Sequence, residues 1–147
     1  CGDMMDVDEC LKKSLLKKEL PDIRKAIKSV ETAKDKIKTA EKLFSVGILD
    51  MCIVTAYSSM FHMSRALLFK DGYKEKSHYA LFVYISEKYK DKIEPKFLNA
   101  LNLLRLERHD ALYGLEKTTS KTEDARYALE IAKEFILKIE HLVKPKK

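Results

Sequence analysis

No tryptophan occurs in this chain, and glycine and proline together fill only seven of its 147 positions. So few turn-forming residues weigh against an architecture of many short strands. Cysteine is scarce too. Cys1, Cys10 and Cys52 are odd in number, form no CxxC pair and lack the density of a secreted disulfide scaffold, so a reducing, cytosolic compartment is expected. No uninterrupted apolar run reaches the length of a membrane span, and the opening residues are acidic and polar, unlike a signal peptide; no membrane contact is expected. Also missing are a glycine-rich phosphate loop, a GxSxG elbow and an HExxH pair. His62, His78, His109 and His141 stand far apart, and no Glu-x-x-His pair falls in the central segments, which argues against a metal; nothing implies a cofactor.

What is present is 46% hydrophobic residue content arranged in long periodic segments rich in Ala, Leu, Lys and Glu. These predict a single all-α domain, an antiparallel up-and-down bundle of four main helices with shorter flanking helices. The Cys1-Gly2-Asp3 ahead of Met4 and Met5 is set aside as a remnant foreign to the fold. Residues 1–21 form an N-terminal segment with one short amphipathic helix from about Asp6 to Glu19, ended by Pro21. The bundle occupies 22–143. Its first helix, Asp22 to about Val46, keeps apolar spacings of three and four from Ile23 to Phe44, and Gly47 stops it. Ile48 to Lys70 is apolar round most of its circumference and so predicts a central helix; its Met51, Met60 and Met63 read as core filling. Tyr73 to Ser77 reads as a charged loop whose Ser77 caps a helix from His78 to about Lys90. Pro95 opens the third main helix, Gly114 ends or kinks it, and Glu116 to Thr119 reads as a polar connection. Ser120-Lys121-Thr122-Glu123 has the form of a capping box before the last helix, and residues 144–147 read as a solvated tail.

The formal charge is +6, from 29 Lys+Arg against 23 Asp+Glu. An anionic partner such as RNA is compatible with it, yet most of the lysines sit beside Glu and Asp, as on an ordinary solvated face. More is carried by Leu101 to Leu115. Phe97, Leu101, Leu104, Arg108, Ala111 and Leu115 make one helical seam, apolar except for the arginine. A guanidinium in such a row needs an anionic partner, a route to water or a cleft, because a lone buried charge costs several kcal/mol. His109 adjoins it, about 100° round the helix, while Tyr113 falls on the side of His109 and Arg105. A set of Arg, His and Tyr on helices suits metal-free work on a phosphodiester, in which Arg neutralises phosphate and His moves protons near neutral pH. The structural alternative for Arg108 is an ion pair with Glu107 or Asp110 of another protomer. Tyr57, Phe61, His62 and Arg65 form a second cluster, expected mainly to pack behind the site. His78, near a helix start, and His141, near a helix end, are not selected.

The segment TAYSSMFHMSRALLFKDGYKEKSHYALFVYI, then RHDALYG, then SKTEDARYALEIAKEFI, resembles the HEPN superfamily, and within it a small prokaryotic group with an AYYAMFHAARALL-like central helix. The likeness spans roughly Asp22 to Val143. It implies a helical bundle, usually homodimeric, often encoded beside a minimal nucleotidyltransferase and in many branches a metal-independent ribonuclease toxin of a toxin–antitoxin pair. Active members carry Arg, commonly a polar residue after it, and His after four to six intervening positions, pooled from two protomers in an interfacial cleft. Arg108 and His109 match the first two, but Tyr113 stands where the motif histidine would be, and Arg105 is too close to His109 to replace Arg108. Tyrosine, with a pKa of about 10, is a poor general base at neutral pH.

Two functional expectations follow from the resemblance. In the first, the domain acts on or binds RNA at a dimer-interface cleft as an endoribonuclease, with Arg108, His109 and Tyr113 at the reacting phosphate and Arg105, Tyr57, His62 and Arg65 contacting substrate. His109 then serves as acid or base, and Tyr113 hydrogen-bonds the phosphate or the 2′-hydroxyl. In the second, a non-catalytic dimeric module binds a nucleotide or docks a minimal nucleotidyltransferase, with Arg108 and Tyr113 as the contact or as a modification site and Tyr113 as acceptor of a nucleotidyl group.

Overall fold

Helix α3, Leu49–Asp71, is the axis of the structure, a computed structural model that describes residues 4–114 and 121–144. Its buried residues point in every direction. Cys52, Ile53, Ala56, Tyr57, Met60, Met63, Leu67 and Leu68 are each 3% exposed or less, so the helix must be covered on all sides. The cover comes from α2 (Ile23–Ser45), α5 (Pro95–Tyr113) and α6 (Thr122–Val143), which with α3 make the four main helices. The shorter α1 (Val7–Lys12) and α4 (His78–Lys88) complete the helical set among the described residues. The expected all-α bundle is thus observed.

Each main helix follows from its own residues. Ala26, Val30, Ala33, Ile37 and Ala40 put one buried stripe of α2 against α3, and the small alanines allow close approach. Asp22 caps it, its carboxylate accepting from Lys25 N–H at 3.0 Å. At the other end Gly47 takes φ +78°, Gly47 N–H reaches Phe44 O at 3.1 Å and Ile48 N–H reaches Leu43 O at 2.9 Å, the two bonds of a Schellman stop. Ser77 caps α4 by accepting from Ala80 N–H at 3.0 Å, as its position predicted. Tyr84 and Tyr89 of α4 and the following turn both donate to Asp71 Oδ2, at 2.8 and 2.7 Å, fastening that end of α4 to the end of α3. Pro95 starts α5 and Gly114 ends it in an extended conformation.

Four expectations need correction. The first helix does not run to Glu19. It stops at Lys12, the chain turns through Ser14 at φ +58°, and Leu16–Lys18 forms strand β1, antiparallel to β2 (Tyr73–Glu75), where a charged loop was expected. Leu16 and Glu75, paired in that register, are both buried, so the ribbon covers the core with one residue pair and is too short to show alternation. At α6, Lys121 N–H is held by the Asp124 carboxylate at 3.2 Å, so the acidic half of the cap is one residue later than Glu123; Ser120 and the connection Glu116 to Thr119 lie outside the described residues. Met60 and Met63 fill the core, but Met51 is 43% exposed, near the solvent end of α3.

Gly72 joins α3 to the ribbon at φ +92°, and a Cβ there would stand 2.7 Å from Glu19 O, a backbone atom. Both the dihedral and the contact exclude a larger residue. Gly72→Ala is expected to lower unfolding free energy by more than about 1 kcal/mol in urea denaturation, whereas Gly47→Ala, with open space round its Cβ, is expected to lose less.

Candidate functional site

Where cover over α3 thins, between the first turn of α4 and the last turns of α5, a cleft of about 280 Å³ opens. Val54, Tyr57, Ser58, Phe61 and His62 of α3 line it with His78 of α4 and Arg108 and Leu112 of α5. No lining residue is acidic. Tyr57 is 1% exposed, and its hydroxyl is 2.9 Å from His78 Nδ1. Phe61 stacks on the His78 ring with centroids 4.3 Å apart, and His62 meets Phe61 edge-on at 5.6 Å. These are close-packed aromatic contacts of the kind that fix ring orientation.

The surroundings set the protonation. Burial, then the positive charges of Arg108, Arg105 and Arg65, pull His78 down to about 4. His62 is likewise lowered to about 4, by burial and by Arg65 and Lys36. Burial pushes the Tyr57 phenol well above its ordinary value, with Arg108 acting in the opposite sense. Near pH 7 both imidazoles are therefore neutral and the phenol is protonated. Donor and acceptor in this contact follow the tautomer: when the phenol donates to Nδ1, the proton of His78 sits on Nε2, the ring nitrogen that Tyr57 does not bond.

Arg108 leaves the apolar seam of α5 where the seam leaves the core. Phe97, Leu101 and Leu104 are 1% exposed or less, Arg108 is half-buried, Ala111 is exposed, and Leu115 lies outside the described residues. Among the described residues no carboxylate is paired with Arg108. Of the three routes open to such a guanidinium, it takes the cleft.

The other selected residues fall in different places. Tyr57 and His62 line the cleft with Arg108. Arg65 lies behind it, its Nε 2.7 Å from Glu75 Oε1 and its guanidinium over the Phe61 and Phe69 rings at 5.6 and 5.1 Å. Arg105 bonds Asn102 Oδ1 through Nη2 at 2.8 Å and covers the Tyr79 ring at 5.4 Å. His109 and Tyr113 pair with each other, rings 5.3 Å apart, on an exposed flank of α5 outside the cleft lining; Tyr113 is 65% exposed. His78 is the residue that sequence reasoning passed over. The Ser77 cap placed it at a helix start, but nothing in a spacing of 21 residues says that it meets Tyr57. Among the described residues, no three His, Cys, Asp or Glu side chains gather as metal ligands would.

A helical bundle whose central helix, fourth helix and fifth helix enclose a cationic, aromatic cleft defines the class, and comparison gives the family. The model of the HEPN domain matches residues 26–142, from the first turn of α2 to the end of α6. A protein of Archaeoglobus fulgidus named UPF0332 protein is 34% identical over 104 residues, which cover 67% of this chain and 74% of the relative. The chain belongs to the HEPN family, a nucleotide- and RNA-related class of helical domain. Among the described residues no helix is long and apolar enough to cross a membrane.

The two lowered histidines have a measurable signature. The unfolded chain binds their protons below about pH 6.5, the folded chain only below about 4, so stability rises with pH between those values and falls on acidification through them. In proton NMR the ring signals of His62 and His78 are expected to titrate near pH 4; midpoints near 6.5 would refute the buried, cation-flanked setting.

Proposed function

We propose that the protein binds RNA through this cleft, with Arg108 holding a phosphate. The observation that carries the reading is the half-buried Arg108 guanidinium, without a carboxylate partner among the described residues, in a cleft that no acidic residue lines. Arg presents a planar fork that matches two phosphate oxygens. The Nε2–H of neutral His78 adds a donor beside it, and Phe61 fixes that ring's orientation. Apolar residues left in water on the same helix, Leu103, Leu106 and the cleft-lining Leu112 at 46%, 48% and 41% exposure, support a second copy of the chain as cover. The homodimer would enclose the cleft and bring two Arg108 side chains to one RNA.

Cleavage is the finer form of this reading. A 2′-hydroxyl attacks the adjacent phosphorus, its proton passes to a base, the 5′-oxygen leaves with a proton from an acid, and a 2′,3′-cyclic phosphate results. His62, neutral at pH 7 and lining the cleft with Arg108, would take the 2′-hydroxyl proton, a water would protonate the leaving 5′-oxygen, and the His78 Nε2–H would hold the phosphate.

Arg108→Ala is expected to raise the Kd for a short single-stranded RNA about tenfold or more, since a charge-assisted hydrogen bond contributes about 1.5–3 kcal/mol. The slope of log K against log salt should fall by nearly one. Unchanged binding by the folded variant would end the reading. With chelator present, cyclic-phosphate products lost in both Arg108→Ala and His78→Ala would add cleavage to binding, whereas binding without products would leave an RNA-binding domain.

Exposure of Tyr113 favours a second reading, the docking of a minimal nucleotidyltransferase of a toxin–antitoxin pair. The phenolic oxygen would attack the α-phosphorus of a nucleoside triphosphate, losing its proton and expelling pyrophosphate. A nucleotidyl mass increment on the wild-type chain, absent from Tyr113→Phe, is the result expected from that pairing.

A further inference from the structure

The small sheet carries a charge arrangement that the fold does not require. In the β1–β2 register Lys17 lies directly opposite Lys74, and like charges at facing positions weaken an antiparallel pair. The neighbouring pair, Leu16 and Glu75, is buried, so the register is fixed and the two lysines are held side by side. Lys17, Lys18 and Lys76 also line a groove of about 590 Å³ with Leu11, Ser14 and Leu16, again with no acidic member. Some lysines on the helices, Lys34, Lys96, Lys133 and Lys138, each meet a glutamate, while Lys25, Lys28, Lys36, Lys38 and Lys42 of α2 form no ion pair among the described residues, so what distinguishes the ribbon is the fixed facing of Lys17 and Lys74. Among the described residues Lys17, Lys18, Lys74 and Lys76 meet none.

The ribbon leads into the cleft. Lys76 N–H bonds Leu15 O at 2.8 Å, Ser77 caps α4, and His78 is the next residue. From Lys74 to His78 the chain spans at most about 14 Å. A cationic strip therefore ends where one wall of the cleft begins.

We propose that the β1–β2 ribbon is the backbone-binding extension of the cleft: a single RNA strand with one nucleotide phosphate at Arg108 lays its neighbouring phosphates over Lys17, Lys74 and Lys76. This rests on the RNA reading of the cleft. It accounts for facing lysines that would otherwise only weaken the sheet, because a polyanion relieves their repulsion and releases its counterions on binding.

The test compares a labelled dinucleotide with a single-stranded RNA of about twenty nucleotides by fluorescence anisotropy over a salt series. For the full chain carrying Lys17→Glu and Lys76→Glu, affinity for the long RNA is expected to fall about tenfold or more, with a salt slope lower by at least about one, while dinucleotide binding stays within about twofold. The melting temperature should hold or rise, since a carboxylate at position 17 faces Lys74; Lys17→Gln with Lys76→Gln serves as the milder pair. Arg108→Ala should weaken both probes. Unchanged long-RNA binding by the folded lysine variants overturns the extension and leaves the cleft standing. Lysine-dependent binding that Arg108→Ala does not touch overturns the link between ribbon and cleft, and with it the cleft reading. Lysine-dependent binding to phosphatidylserine vesicles, with RNA affinity unchanged, overturns the proposal by giving the ribbon to a membrane surface.

Discussion

A helix that is apolar all round is the constraint on which this structure depends. Once α3 must be buried on every side, α2, α4, α5, α6 and β2 have to lie against it, and polar side chains on α3 are best accommodated by bonding inward or emerging where the cover thins. Ser64 does the first, returning its hydroxyl to Met60 O at 2.8 Å. Ser29 of α2 makes a similar bond across the interface, donating to His62 O at 2.6 Å. Tyr57 and His62 do the second, at the gap between α4 and α5. The cleft is thus a consequence of how an apolar axis is covered.

Two cationic environments sit back to back there, and they divide the work. Arg65 is matched by Glu75, a buried carboxylate whose pKa burial raises and Arg65 lowers. That pair fixes β2 to α3, although the Arg65 charge still reaches His62 and His78. Arg108 lacks such a match among the described residues, and its field reaches His78 and Tyr57. What separates the two arginines is the presence of a carboxylate, and neither sequence neighbour nor helix periodicity reveals it.

That distinction marks how far the sequence could be read. Helices α2, α3, α5 and α6 were legible because each buries a long periodic face, and caps such as Asp22 and Ser77 act within three residues of themselves. Arg108 was legible as an interruption of an apolar seam. The ribbon was not, since three residues per strand hold no readable period and Leu16 meets Glu75 only across the whole of α2 and α3. His78 was missed for the same reason: its partners Tyr57, Phe61 and Arg108 come from two other helices. Arg105 and Arg65, plausible by spacing, are occupied by Asn102 and Glu75, and only tertiary placement shows that.

The wall of the cleft that bears His78 hangs from segments distant in sequence. Its capping residue follows Lys76, whose N–H is tied to Leu15 O at 2.8 Å, and α4 itself receives the N-terminal segment through Val7 N–H to Glu87 Oε1 at 3.1 Å and Met5 N–H to Tyr79 Oη at 3.2 Å. An eleven-residue helix has little stability of its own. Among the described residues, those before α2 contribute nothing to the cleft lining, yet they are hydrogen-bonded to one of its walls. Amide exchange in the first turn of α4 should therefore follow the opening of the N-terminal segment, and a nick in the exposed turn at Lys13 and Ser14 would loosen the cleft from a distance.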